Sequence, residues 1–104
     1  MARYDVYVHP DAALRKITPF LLDVQNDYIN TLESRVVIPM RSSALYPHPM
    51  RDLNPVFEVD GKAVVLDTAA LAAFPARELK KCVAGLQAQS EHIVAAMDCL
   101  FGAY

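Results

Sequence analysis

Apolar and polar positions alternate at the start of the chain. Tyr4, Val6 and Val8 fall on one face and Arg3, Asp5 and Tyr7 on the other, the period-2 pattern of a half-buried strand over residues 3–8. His9-Pro10-Asp11 ends that strand, because proline supplies no ladder donor. Residues 11–18 read as a loop with room for one helical turn. Alternation returns at 20–25, with Phe20, Leu22 and Val24 set against Leu21, Asp23 and Gln25, and Asn26-Asp27 then signals a turn. Residues 35–40 form a near-continuous β-branched run, the pattern of a buried strand, expected to end at Pro39. The stretch from 41 to 54, with Pro47 and Pro49, is the longest irregular one. Residues 55–59 and 62–66 flank Asp60-Gly61, the residue pair of a two-residue type I′ hairpin.

The end of the chain changes period. Ile93, Ala96, Met97, Leu100 and Phe101 stand at i, i+3, i+4, i+7 and i+8, one stripe of a helix, while Glu91, His92, Ala95 and Asp98 face the other way. Ser90 suits the N-cap and Gly102 the C-terminal stop. Two stretches are ambiguous. Ala-rich 67–73 fits a short helical turn. Leu79, Cys82, Val83 and Leu86 fit a helical stripe as well as a strand, so 76–85 stays open on periodicity alone. The pattern as a whole predicts a mainly β domain spanning 1–104, with one long helix packed on a sheet.

Composition narrows the function more than the fold. A chain of 104 residues with 54% hydrophobic and 21% charged residues is a single folded domain rather than a disordered segment. A net charge of −2 gives no overall footprint for direct binding to nucleic acid. No apolar run approaches the roughly 20 residues of a membrane span, and residues 1–5 lack an apolar signal region, so a cytoplasmic protein is expected. Cys82 and Cys99 have no CxxC spacing and read as core thiols without a disulfide.

A catalytic set does not emerge. His9, His48 and His92 are scattered without partners at metal-ligand spacing, so neither metal nor cofactor is expected. Neither cysteine has a nearby histidine to mark a thiolate nucleophile, and three glycines build no phosphate loop. Asp23, Gln25 and Arg35 interrupt otherwise apolar strands and are expected to hydrogen-bond one another and hold register. Tyr28-Ile29 is an apolar pair within a polar loop, either tucked beneath it or exposed for binding. These features favour a binding protein over an enzyme.

Taken in order, the residues resemble a known family. The pattern is Tyr4-x-Val6-Tyr7, Leu22-Asp23-Val24-Gln25-x-Asp27, Arg35-x-Val37-Ile38-Pro39, Leu53-x-Pro55, Pro75, and Ile93-x-x-Ala96-x-x-x-Leu100-Phe101. It is similar to the CcdB family, toxins of toxin–antitoxin modules, over essentially the whole chain. The resemblance implies a small SH3-like β-barrel with a C-terminal helix, forming a homodimer, and it favours a strand within 76–85. It implies a gyrase poison that binds the A subunit of DNA gyrase, traps the enzyme on cleaved DNA, carries no catalytic residues and is neutralised by a small antitoxin protein. It places the gyrase contacts at Tyr28, Ile29 and Asn30, and at Asp98 and Phe101 to Tyr104. Where the family's best-known member closes on Trp-Gly-Ile, this chain closes on Gly102-Ala103-Tyr104. The alternatives are a repurposed antitoxin-binding module and an endoribonuclease toxin of the MazF and Kid type. The latter needs a basic groove with acid–base residues, and the sequence displays neither.

Overall fold

A computed structural model describes residues 1–29 and 31–102. Seven strands form one antiparallel sheet: β1 (Asp5–Val8), β2 (Phe20–Asp23), β3 (Ser34–Ser42), β4 (Val56–Val59), β5 (Lys62–Leu66), β6 (Ala72–Pro75) and β7 (Cys82–Gly85). Among the described residues there is one α-helix, α1, spanning Ser90–Phe101. The strand order is β4-β5-β3-β2-β1-β7, with β6 paired to β3 outside that path. The sheet curls around its own core into a half-barrel, and α1 seals one side, with Ile93 and Ala96 fully buried among Val6, Leu22, Ile38, Met40, Val64 and Leu66.

The long β3 is the spine. One edge pairs with β2, from Phe20↔Met40 to Asp23↔Val37. The other edge is shared. Its first half pairs with β6, Ser34↔Pro75 to Val37↔Ala72, and its second half with β5, Met40↔Leu66 to Ser42↔Val64. Pro39 sits where that edge changes partner. Its carbonyl, which accepts from Asp67 N–H at 2.9 Å, marks the side its missing N–H would face. The proline therefore costs no ladder bond, and the strand runs through it instead of ending there.

The hairpin is as expected, with Asp60 at φ 51° and Gly61 at φ 77°, and so is the terminal helix. Other expectations need correcting. Val6 and Tyr7 are both buried and all four residues of β2 are buried, because the curled sheet covers both faces that simple alternation would have left half-open. Residues 12–14 make one 3₁₀ turn within the expected loop. Residues 67–73 divide into a 3₁₀ turn at Thr68–Ala70 and the start of β6. No strand was foreseen there, since Ala-Ala-Phe-Pro lacks the β-branched signature. Residues 76–85 form a 3₁₀ turn at Ala76–Glu78 and then β7, so the helical stripe is not realised and the strand is. Ser90 is the first helical residue rather than the cap, and a 3₁₀ turn at Gln87–Gln89 leads the chain into α1. The cysteines are free but not core. Cys82 is exposed on edge strand β7 and Cys99 is partly exposed on α1.

His9 shows how the end of β1 is fixed. It is buried, its ring meets Phe74 edge-on at 5.9 Å, and its Nδ1 accepts from Asp11 N–H at 3.0 Å. That hydrogen bond requires the neutral ring with its proton on Nε2. Burial, reinforced by Arg15 and Arg41 and opposed by Asp11, pushes the imidazole below its ordinary value of 6.5. The unfolded chain then binds a proton that the native state refuses. The stabilising contribution is complete above pH 6.5 and is lost as pH falls below it toward the folded value, at a slope of up to about 1.4 kcal/mol per pH unit. Thermal melting from pH 7.5 to 5 should show a decline that is flatter in His9→Gln.

Candidate functional site

The expected site residues lie on two separate supports. The first is the 3₁₀ turn Asp27–Ile29 after β2. Beneath it Arg35, Asp23 and Gln25 form the expected network, all three buried. Arg35 Nε donates to Asp23 Oδ2 at 2.9 Å, and Arg35 Nη2 lies 2.6 Å from the same oxygen. Gln25 N–H donates to Asp23 Oδ1 at 3.0 Å, so both carboxylate oxygens are occupied. The Gln25 side chain bridges outward. Its Oε1 accepts from Val36 N–H at 3.0 Å, and its Nε2 donates to Ile29 O at 3.2 Å.

Asp27 ties the turn's other end. Its Oδ1 accepts from Arg3 N–H at 2.8 Å and lies 3.6 Å from Arg35 Nη2. Asn26 caps the turn, accepting from Tyr28 N–H at 2.9 Å through Oδ1 and from Ile29 N–H at 3.1 Å through its carbonyl. The turn is thus held through the Asp27 side chain and the backbone of Tyr28 and Ile29, while the Tyr28 and Ile29 side chains stay exposed. Tyr28 is 92% exposed and Ile29 44% exposed. Of the two readings of this pair, exposure prevails. Burial pushes the Asp23 carboxyl above its ordinary range, against the opposing pull of the Arg35 and Gln25 hydrogen bonds. Such a buried pair fixes geometry more than it adds net stability.

The second support is the end of α1. The stripe splits: Ile93 and Ala96 enter the core, Met97 packs against it, and Phe101 projects outward, 69% exposed. Gly102 adopts φ +72° and its N–H caps the Asp98 carbonyl at 2.9 Å, a left-handed stop that favours glycine. A Cβ built on Gly102 would meet nothing within 4 Å. Asp98 places a carboxylate in the last turn, which holds no basic residue, against the helix dipole. The hydrogen bonds described above anchor the 27–29 turn to Arg3, Gln25 and Arg35, and the α1 end within its own helix, so the two supports are fixed independently. Asn30, Ala103 and Tyr104 lie outside the described residues.

The sequence reading missed one feature. Two concavities, of about 370 and 650 Å³, share Arg15 and are lined by Arg15, Lys16, Lys62, Lys80 and Lys81. Five of the chain's ten Lys and Arg residues thus gather from three separate stretches. A net charge of −2 conceals them, and only strand pairing brings them together. No group of three or more His, Cys, Asp or Glu that could hold a metal occurs among the described residues. No described helix is long and apolar enough to cross a membrane.

Fold and site define a small curled-sheet protein with one C-terminal helix, displaying aromatic side chains from two backbone-anchored positions. The family model described as CcdB protein matches residues 3–102 of the 104, and the chain belongs to the CcdB family, toxins of toxin–antitoxin modules. No curated protein matches the chain.

Proposed function

We propose that this chain acts as a cytoplasmic homodimer that binds the A subunit of DNA gyrase, traps the enzyme on cleaved DNA and is neutralised by a small antitoxin. It works by binding, with no catalytic residue, metal or cofactor of its own. The observation that carries the reading is Tyr28, 92% exposed on a turn anchored by the Asp27 side chain and by backbone hydrogen bonds at Tyr28 and Ile29. A large apolar ring held in water by a rigid support is pre-organised for a protein surface, because little ordering entropy remains to be lost on contact. Phe101, with Asp98 and Gly102 beside it, supplies the second contact, and Ile29 extends the first. Asn30, Ala103 and Tyr104 complete the proposed contact set.

Gly102 sets the strength of that contact. The open space around it admits a large ring, and a desolvated aromatic anchor contributes roughly 2 kcal/mol or more. A left-handed non-glycine residue costs about 1–2 kcal/mol locally. Gly102→Trp should therefore strengthen gyrase binding by roughly thirtyfold while lowering the melting temperature slightly. Surface plasmon resonance on the A subunit from the same source tests the first statement, and a thermal melt of the variant tests the second. Absence of binding by the unmodified chain at tens of micromolar contradicts the reading.

The five clustered cations give the endoribonuclease alternative the basic groove that the sequence lacked. Acid–base chemistry there would rest on Glu78, the one carboxylate lining either concavity. His9 lies in the neighbouring hollow with its Nδ1 already engaged by Asp11 N–H. Cleavage of an RNA substrate by the purified protein would promote that reading.

A further inference from the structure

We propose that Gln87 is a positioning residue for the Tyr28 contact, clamping the strained turn at residues 2–5 to which the Asp27–Ile29 turn is tied; the inference rests on the gyrase reading of Tyr28. The turn at 2–5 is built against its own backbone preference. Asp5 N–H donates to Ala2 O at 3.0 Å, and Tyr4, in the third position, has φ 73°. Turns of that form favour glycine there, because a Cβ is strained at positive φ. Tyr4 is nevertheless held in place. Its side chain is buried, its N–H donates to Asp23 O at 2.6 Å, and its carbonyl accepts from Leu86 N–H at 2.9 Å. Gln87 follows Leu86 and straddles the strained residue. Its Nε2 donates to Arg3 O at 2.9 Å and to Asp5 Oδ1 at 3.0 Å, one bond on each side of Tyr4. An amide nitrogen carries two hydrogens, so both donors are engaged on this turn. The other Asp5 oxygen, Oδ2, accepts from Ala2 N–H at 3.0 Å.

From this turn the connection to Tyr28 is short. Arg3 N–H donates to Asp27 Oδ1 at 2.8 Å, and Arg3 Nε donates to Val24 O at 3.0 Å. Arg3 thus takes the bond from Gln87 on its carbonyl and passes a bond from its amide to the residue before Tyr28. The path joins the 3₁₀ turn Gln87–Gln89, where the chain enters α1, to the turn that displays Tyr28. It leaves the Phe101 end of α1 on its own support. Gly85 makes room for the clamp. Its φ is not positive, so its backbone conformation does not require glycine. A Cβ built on it would instead overlap Gln87 Oε1 and stand 3.2 Å from Gln87 Cδ. The three atoms nearest that Cβ all belong to the Gln87 side chain, so Gly85→Ala acts on the clamp itself.

The test is amide hydrogen exchange by NMR on the full-length protein, paired with surface plasmon resonance on the gyrase A subunit from the same source. Gln87→Glu keeps the side chain's shape but removes both donors and sets a like charge against Asp5. Gly85→Ala pushes the Gln87 side chain aside. Each should speed exchange at the Arg3 and Tyr28 amides about fivefold, leave the Leu22 amide in the core unchanged, and move the melting temperature by no more than about 3 °C. Each should weaken gyrase binding about fivefold, a loss that persists with Phe101→Ala and vanishes with Tyr28→Ala. Gly85→Ala should change nothing in a Gln87→Ala background. Unchanged exchange at Arg3 and Tyr28, equal acceleration at Leu22, or an equal effect of Gly85→Ala with and without Gln87 would overturn the clamp. Faster exchange with gyrase affinity intact would overturn the positioning role. Faster exchange in variants of a parent that itself binds no gyrase would support the clamp and contradict the gyrase reading alone.

Discussion

Arg35→Met is expected to destabilise the protein by about 3–5 kcal/mol, because it leaves the Asp23 carboxylate buried without its cation. Asp23 and Arg35 are both fully buried. With Arg35 removed, Asp23 Oδ2 loses both of its guanidinium contacts, at 2.9 and 2.6 Å, and keeps none of the side-chain partners described for it. Domains of this size are stable by about 5–15 kcal/mol, so the loss is a large part of the whole. Urea denaturation measures it as a lower midpoint at unchanged slope. The double variant Asp23→Leu/Arg35→Met should regain much of the stability, since an apolar pair carries no desolvation penalty. It should not regain the anchoring of Asp27, and so should bind the target less well than its stability suggests. An unchanged midpoint in Arg35→Met would show that the pair is not what holds β2, β3 and the 27–29 turn together.

The opposite pattern is expected at the exposed rings. Tyr28→Ala and Phe101→Ala should leave stability within about 0.5 kcal/mol, because neither ring is buried in the core. Each should cost about 2 kcal/mol of binding to gyrase, a loss of roughly thirtyfold in affinity. If both rings enter one interface the two losses need not add. Melting curves and binding isotherms on the same preparations separate the effects. A melting drop with affinity intact would make these rings structural.

The strands were legible where chemistry was local. Asp60-Gly61 declares its hairpin through the backbone freedom of glycine, and the stripe from Ile93 to Phe101 declares a helix through its period. β6 was not legible, because Ala72 to Pro75 becomes a strand only through pairing with the first half of β3. β7 was ambiguous for a related reason. Leu79 and Leu86, whose spacing fits a helical stripe, are buried from a turn and a loop on either side of the strand. Pro39 misled in the other direction, since its harmlessness depends on a gap between two partner strands far apart in sequence.

The site divides in the same way. Asp23, Gln25 and Arg35 announced themselves as polar residues inside apolar strands, and their mutual hydrogen bonding follows from the cost of burying them unpaired. Sequence could not choose between a tucked and an exposed Tyr28-Ile29, because the choice rests on Asp27 reaching Arg3 and on Gln25 reaching Ile29. The basic groove was invisible for a stronger reason. Arg15, Lys62 and Lys81 stand far apart along the chain, and net charge sums over faces that the sheet keeps apart.

The central claim is that the exposed Tyr28 and Phe101 rings make this chain a gyrase poison. The most direct measurement is a DNA cleavage assay with gyrase from the same source, comparing the unmodified protein with Tyr28→Ala/Phe101→Ala. Trapped cleaved DNA at micromolar protein, lost in the double variant, is the predicted result. Absence of trapped complex with the unmodified protein, or equal trapping by both, would contradict it.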